Sequence, residues 1–374
     1  MAIRRVSFVI MEAGGGHRSV AEAIRSAVDE CYGESLQMEI VEFPGRKRGE
    51  KKAAIPALYE FSTRRFLPAY DLMWHFTDQE MVIDGLTPLV FFIIRKKLAK
   101  LLENRKHDLL VAGNAILGSL LCEARDALGM DIPILVVVSD LASIHRSWTC
   151  PKVDLTIVPT DLALRQILDW GIDKDKVIQT EFPIHPKFLN KKLSANEARQ
   201  LLGLDPERFT TLVTGGGAGS GLLEYYVKKL RSAYPEDQLL VVTGSNKIGY
   251  YRLKRRADDE RVRIYQRVGN MDELICASDV VVTKAGPSTM MECLALDRNL
   301  IVTRGVGAQE AGNIEYMLRD PRVHSQRTGE GLVKAIREIK QGEKQVQGES
   351  VFCSRGAYQI AEILSRWAEG EQRT

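Results

Sequence analysis

Residues 6–24 read VSFVIMEAGGGHRSVAEAI. Apolar and β-branched residues run to Met11, glycines occupy positions 14, 15 and 16, and apolar residues then recur at helical spacing. The stretch predicts a strand, a tight turn and a helix. A strand that feeds a helix calls for a second strand beside the first, so these residues by themselves argue for a parallel sheet covered by helices. They also set His17 at the mouth of the helix, behind three residues that have no side chain to screen it. An imidazole titrates near neutrality and is a candidate proton acceptor there; a polar loop residue after a glycine turn is the plainer reading.

Outward from this stretch the alternation continues. Strands are expected near 3–11, 36–43, 108–112, 133–139 and 154–158, and helices near 18–31, 92–104, 115–128 and 160–170. The pattern stops at TEFPIHPKFLNKKL, residues 180–193, and resumes at Ser194 and Glu197, which have capping-box spacing. A second series follows in FTTLVTGGGAGSG, QLLVVTGSN, RVRIYQRV, DVVVTKAG and RNLIVTR. The expected fold is α/β with two Rossmann-like domains, residues 1–187 and 188–355. A C-terminal helix over 356–374, with Ile360, Ile363, Leu364 and Trp367 on one face, is expected to pack back on the first domain. Residues 341–350, QGEKQVQGES, read as a mobile loop.

Composition narrows the function classes. Of 374 residues 45% are hydrophobic and 27% charged, enough for two cores, and 52 basic against 49 acidic residues give no reason to expect a nucleic-acid partner. The six cysteines lie far apart without C-x-x-C spacing, which argues against a zinc site and fits a reducing, cytoplasmic setting. The start, IRRVSFVIM, lacks a signal-peptide pattern. The longest apolar run, GLTPLVFFII at 85–94, is about half a membrane span.

Three turns carry chemistry. TGGGAGSG, Thr214 to Gly221, aims backbone N–H groups and a helix start at an anion, and Gly216 and Gly217 are its candidate diphosphate contacts; glycines that merely let strand and helix pack closely are the alternative. Neither glycine loop has the dinucleotide fingerprint. In TKAGPSTMMECLAL, 283–296, Ser288 and Thr289 sit where N-caps sit and Glu292 follows one turn on. That arrangement suits a diphosphate with a carboxylate for ribose hydroxyls, or an ordinary capping box. GAQEAGN offers Gln309, Glu310 and Asn313 as readers of sugar hydroxyls, or as a solvated loop. Asp173 and Asp175 form a D-x-D, but Lys174 and Lys176 interleave it, so no metal is assigned.

Together GGGHRSVAEAI, VVVSDLASIHRSW, FPIHPKF, VTGGGAGSG, TKAGPSTMMECLA and QEAGN resemble the monogalactosyldiacylglycerol synthase branch of the GT-B glycosyltransferases. A more distant likeness is to the peptidoglycan transferase that adds N-acetylglucosamine to lipid I. The resemblance implies two Rossmann-like domains facing across a cleft, the acceptor on the first and the UDP-hexose on the second, with no cofactor and no metal. It implies His17 as general base, with Asp140 and His145 as rivals. For the donor it implies Gly216, Gly217, Ser288 and Thr289 at the diphosphate, Glu292 at ribose, Gln309, Glu310 and Asn313 at the hexose, and Val268 in the loop that grips uracil. Gly15, Gly16 and Trp148 fall to the acceptor side. The sequence departs from the family pattern at Glu12, Ala13, Ser139, His185 and Ala308.

Residues 44–65 carry seven basic residues, among them Arg64 and Arg65, and Tyr70, Trp74 and Phe76 follow before the run that ends in Arg95, Lys96 and Lys97. Basic charge beside aromatics suits an anionic membrane surface, and the resemblance implies a lipid acceptor there; a solvated loop and a buried helix are the alternative. The expected activity is inverting transfer of galactose or glucose from a UDP-sugar to a lipid hydroxyl, diacylglycerol first, by a peripheral enzyme on the inner face of the cell membrane. A different acceptor, a UDP-sugar epimerase and a non-catalytic UDP-sugar sensor are the other classes.

Overall fold

A computed structural model describes residues 4–11, 15–44, 67–103, 106–190, 193–219, 222–256, 259–303, 305, 307–342 and 355–371. The strands are β1 Arg4–Met11, β2 Leu36–Phe43, β3 Leu109–Ala112, β4 Ile134–Val137, β5 Leu155–Val158, β6 Val177–Gln179, β7 Thr210–Thr214, β8 Gln238–Val242, β9 Val262–Tyr265, β10 Val280–Thr283, β11 Asn299–Val302 and β12 Val323–Ser325. The helices are α1 Gly16–Tyr32, α2 Leu67–Thr77, α3 Glu80–Glu103, α4 Leu117–Leu128, α5 Asp161–Asp169, α6 Lys187–Asn190 and α7 Ala195–Leu201. They continue with α8 Leu223–Ala233, α9 Lys247–Lys254, α10 Met271–Cys276, α11 Pro287–Ala295, α12 Gly307–Met317, α13 Gly329–Lys340 and α14 Gly356–Ala368.

The chain divides into two compact units. The first holds 1–186, 307–309 and 354–374, and the second holds 187–306 and 310–353. Unit 1 contains a parallel sheet in the order β2-β1-β3-β4-β5-β6, and unit 2 a parallel sheet in the order β12-β11-β10-β7-β8-β9. The inner strands β3, β4 and β5 are buried along their whole length because helices cover both faces, so they read as continuous apolar runs. β2 lies at an edge and alternates buried with exposed positions.

α1 buries Val20, Ala21, Ala23, Ile24, Ala27 and Val28 on one face. α14 packs against α1, buries Ile360 and Leu364, and ties back through Tyr358 Oη to Glu30 at 2.7 Å. Gly356 is needed at its start, since a Cβ there would come within 2.0 Å of the Glu181 carbonyl oxygen. The Ser194–Glu197 capping box forms with both of its bonds.

Four elements differ from the sequence reading. α3 begins at Glu80, a full twelve residues before the expected helix, and holds Pro88 inside it; the Thr87 hydroxyl donates to the Ile83 carbonyl at 2.8 Å, one turn back. α2 was not expected, because its apolar residues do not gather on one face. β6 and β12 are three-residue strands, too short for a periodic signal, and exist because a neighbouring strand offers its edge. Residues 343–350 of the expected mobile loop lie outside the described residues.

Candidate functional site

In unit 1 the strand order reverses between β1 and β3, and the crevice beyond the carboxyl ends of such strands is where open α/β sheets take ligands. Three strand ends converge there. After β1, Gly15 is the N-cap of α1 without any side-chain cap bond, so Gly16 and His17 open the helix; Gly14 lies outside the described residues. After β3 comes Gly113, where a Cβ would lie 2.3 Å from the Phe8 ring. After β4 comes Ser139, whose Oγ is 2.8 Å from His17 Nδ1. The Gly113 backbone also hydrogen-bonds the imidazole in the sense that favours its protonation, so it is the carbonyl that faces the ring. A carbonyl can only accept, so it draws a ring proton toward itself, while the Ser139 hydroxyl can either donate to Nδ1 or accept from it. The ring keeps some exposed surface, but the protein packed round it outweighs the carbonyl and pulls its pKa from 6.5 to about 4.

The rest of the VVVSDLASIHRSW stretch is structural in its contacts. Trp148, expected on the acceptor side, is only 2% exposed and packs in the core. Its indole N–H donates to Asp140 Oδ2 at 3.0 Å and its ring stands 6.0 Å from His17. His145 Nδ1 accepts from the Ser147 backbone N–H at 3.2 Å, so its proton is on Nε2, 3.1 Å from Thr77 Oγ1. Trp74 meets the same ring edge-on at 4.6 Å, and burial lowers the His145 pKa against the opposing pull of Asp78. His145 thus caps the short turn Arg146–Trp148 and ties it to α2. The structure brings His17, Asp140 and Trp148 into one cluster and sets His145 at its far edge.

α2 and α3 leave a large apolar face uncovered: Leu72, Phe76, Met81, Phe92 and Ile93 are exposed, Met81 at 85%. Exposed apolar area on this scale marks an interaction surface. Arg95 lies over the Phe92 ring at 4.4 Å, and Lys96 and Lys97 are exposed beside it. Arg64 and Arg65, with the basic residues from 46 to 52, lie outside the described residues. Among the described residues no helix is long and apolar enough to cross a membrane.

In unit 2 the reversal falls between β7 and β10, and the glycine loop follows β7 while α11 follows β10. Gly216 has φ +67° and its N–H donates to Thr214 Oγ1 at 3.2 Å; Gly217 accepts from the Ser245 N–H at 3.0 Å. Gly219 also has positive φ, +60°, and a Cβ there would lie 1.8 Å from the Thr243 carbonyl oxygen, so the turn cannot close with another residue. α11 starts from Gly286 with Pro287 in its first turn and no side-chain cap bond. Ser288 and Thr289 are therefore inside the helix, not at its cap, and the capping-box alternative is overturned. Their N–H groups are among the free donors of the helix start.

Glu292 lies one turn further, half-buried. Burial raises its pKa from 4.5 to about 8, while Lys187 pulls the other way and Asp272 adds to the rise. No hydrogen bond reaches its carboxyl among the described residues. Lys187 ion-pairs with Asp272 at 2.6 Å and donates to the Gly269 carbonyl at 2.8 Å, which fastens the loop that holds Val268. Lys187 stands in FPIHPKF and Asp272 four residues after Val268, and neither carries a sequence signal of its own. Asn313 is fully buried; its amide N–H donates to the Ala285 carbonyl at 3.3 Å, and its Oδ1 has no hydrogen-bond partner among the described residues. Glu310 is buried and ion-paired with Lys284. Gln309 falls in the first turn of α12, and its side chain is outside what the structure describes. Asp173 caps a turn by accepting the Asp175 N–H at 3.1 Å, and no group of three or more possible metal ligands is found among the described residues.

Residues 17–184 match the family model for monogalactosyldiacylglycerol synthase, and residues 210–305 match that for the glycosyltransferase family 28 C-terminal domain. The chain has a GT-B fold. Both models describe enzymes of the glycosyltransferase class, and their boundaries place one in each unit. The chloroplastic monogalactosyldiacylglycerol synthase of Spinacia oleracea is 25% identical over 85% of this chain, which spans 62% of that relative's length. The S. aureus MnaA–UDP co-structure has TM-score 0.63 at 12% identity, covering 98% of this chain and 97% of that one. Acinetobacter baumannii MurG has TM-score 0.55 at 12% identity, covering 97% and 99%. UDP-N-acetylglucosamine 2-epimerases share the fold as well.

Proposed function

We propose that this chain is an inverting, metal-independent glycosyltransferase that moves a hexose from a UDP-sugar to a lipid hydroxyl, diacylglycerol first, at an anionic membrane surface. The observation that carries the lipid acceptor is the uncovered apolar face of α2 and α3 with its basic edge, on the unit that bears His17. An epimerase that works on a free nucleotide sugar has no use for such a face. Attachment from the inner side of the cell membrane is part of the same reading, since anionic lipid attracts the Arg95, Lys96 and Lys97 edge.

The step balances simply. The acceptor oxygen forms a bond to the anomeric carbon, the bond from that carbon to the diphosphate breaks with its electron pair going to UDP, and the hydroxyl proton goes to a base. Burial favours the neutral imidazole of His17, which keeps one ring lone pair, and the Ser139 hydroxyl 2.8 Å from Nδ1 is the group through which a proton can be relayed. The glycine loop after β7 and the helix start at Ser288 and Thr289 supply donors to the diphosphate. Glu292 and the Val268 loop take the nucleoside.

The test is UDP release from UDP-galactose or UDP-glucose with diacylglycerol in anionic vesicles. Lipid-dependent release with a glycolipid product is expected, and it persists in EDTA. Epimerised nucleotide sugar without lipid sinks the transferase reading. Vesicle binding falls as salt rises, because screening weakens the attraction; equal binding to neutral vesicles removes the anionic surface from the proposal.

A further inference from the structure

Lys284 stands at the carboxyl end of β10, two residues before Gly286 caps α11. A Cβ added at Gly216 would lie 3.4 Å from Lys284 Cε, and one at Gly286 would lie 3.5 Å from both Cε and Nζ. The side chain therefore fills the angle between the glycine loop and the first turn of α11, at the reversal point of the sheet. It is half-buried there, and its ammonium pairs with the buried Glu310 carboxylate. Gly305 allows that carboxylate in, since a Cβ at 305 would come within 2.7 Å of Glu310 Cβ.

The reaction demands a charge at this place. A diphosphate leaving group gains negative charge as its bond to the sugar breaks, and N–H groups at a loop and a helix start supply only partial charges against it. A half-buried ammonium faces less screening than one in water, and its flexible stem lets it change partners.

We propose that Lys284 is the cation that holds the donor diphosphate and takes up the charge of the departing UDP, and that Glu310 is its counter-ion, exchanged for the diphosphate when donor binds. The proposal rests on the reading of unit 2 as a UDP-sugar site. The exchange leaves the Glu310 carboxylate buried and in need of donors, and the hydroxyls of the hexose are of the right kind. Lys284 is thereby assigned to the reaction, and Glu310 passes from a lattice of protein contacts to the sugar only in the loaded state.

Calorimetry with uridine and UDP on the intact chain tests this. Wild type binds UDP at least about tenfold more tightly than uridine, and Lys284→Met brings UDP to within about threefold of uridine while uridine affinity stays at the wild-type value. Glu310→Gln binds UDP as well as wild type or better, because a competitor for the ammonium is gone. An unchanged ratio of UDP to uridine affinity in Lys284→Met overturns the proposal. So does an equal loss of both ligands, which makes Lys284 a scaffold, or a loss of UDP in Glu310→Gln that matches Lys284→Met. If wild type binds neither ligand, the reading of unit 2 as a nucleotide-sugar site falls and takes this inference with it.

Discussion

His17 in unit 1 and Glu292 in unit 2 each stand on the helix that follows a strand at the reversal point of its sheet, α1 after β1 and α11 after β10. Burial acts on both, and it moves them in opposite directions: His17 down to about 4, Glu292 up to about 8. The charged form is the one that loses solvation, and for histidine that is the protonated form while for glutamate it is the deprotonated one. Burial therefore favours the uncharged form of both groups near pH 7. The imidazole keeps a lone pair, and the carboxyl keeps a proton, so it can donate as well as accept where the sequence suggested a carboxylate that only accepts.

The largest effect that tests this pairing is on turnover. His17→Ala should lower it by about 10² to 10⁴ while UDP affinity stays near wild type, because the nucleotide is read in the other unit. UDP release and calorimetry check the two halves separately. Near-normal turnover in His17→Ala together with a loss in Asp140→Asn would move the base to Asp140 and leave the glycine turn a hinge.

Next comes the conformational cost of the two glycines that shape these sites. Gly219→Ala sets a Cβ 1.8 Å from a backbone oxygen at positive φ, and should abolish measurable UDP binding; Gly113→Ala sets its Cβ against the Phe8 ring, which can shift, and should cost about 1–3 kcal/mol of stability. Denaturant unfolding of Gly113→Ala and a UDP titration of Gly219→Ala measure them. If the loss were equal in kind, the contrast between a side chain and a backbone neighbour would not hold.

A smaller effect separates the two forms of Glu292. Glu292→Ala should weaken UDP binding by about tenfold, the worth of one or two hydrogen bonds, whereas Glu292→Gln, which mimics the protonated acid, should stay within about threefold at pH 7. Wild-type affinity should change between pH 7 and 9 and that of Glu292→Gln should not. A Gln variant as weak as Ala in calorimetry would show that a carboxylate is what the nucleoside needs.

A last effect is on stability against pH, and the two groups oppose each other in it. His17 binds its proton less readily when folded, so its contribution is present above pH 6.5 and is lost as pH falls from 6.5 toward 4. Glu292 holds its proton more tightly when folded, so its contribution is present below pH 4.5 and is lost as pH rises from 4.5 to 8. Melts across pH 4–8 should show His17→Gln flattening the acid side and Glu292→Gln the alkaline side. The reverse assignment would break the comparison.

Much of the site was legible because its chemistry sits in short stretches. Strand, glycine turn and helix start are contiguous, so GGGH, TGGGAGSG and KAGPST announce themselves. Burial was not legible in the same way: Trp148 and Asn313 have polar atoms in short motifs, yet both are buried, their N–H groups bonded to Asp140 and Ala285. Lys284 shows the same limit, because a lysine at a strand end carries no signal until the facing loop is known. α2 and α3 blurred for a related reason: their outward apolar face breaks the periodicity on which helix prediction depends.

The sequence by itself determined that there are two parallel α/β units and where the glycine turns after β1, β7 and β10 fall, since these follow from periodicity and local backbone preference. Tertiary structure decided strand order, and with it that His17, Gly113 and Ser139 meet from three separate strand ends, as do Gly216, Lys284 and Glu310. It also decided protonation. Burial depends on every element packed round a group, a quantity no local stretch contains, and it is burial that leaves one imidazole and one carboxyl neutral in the same chain.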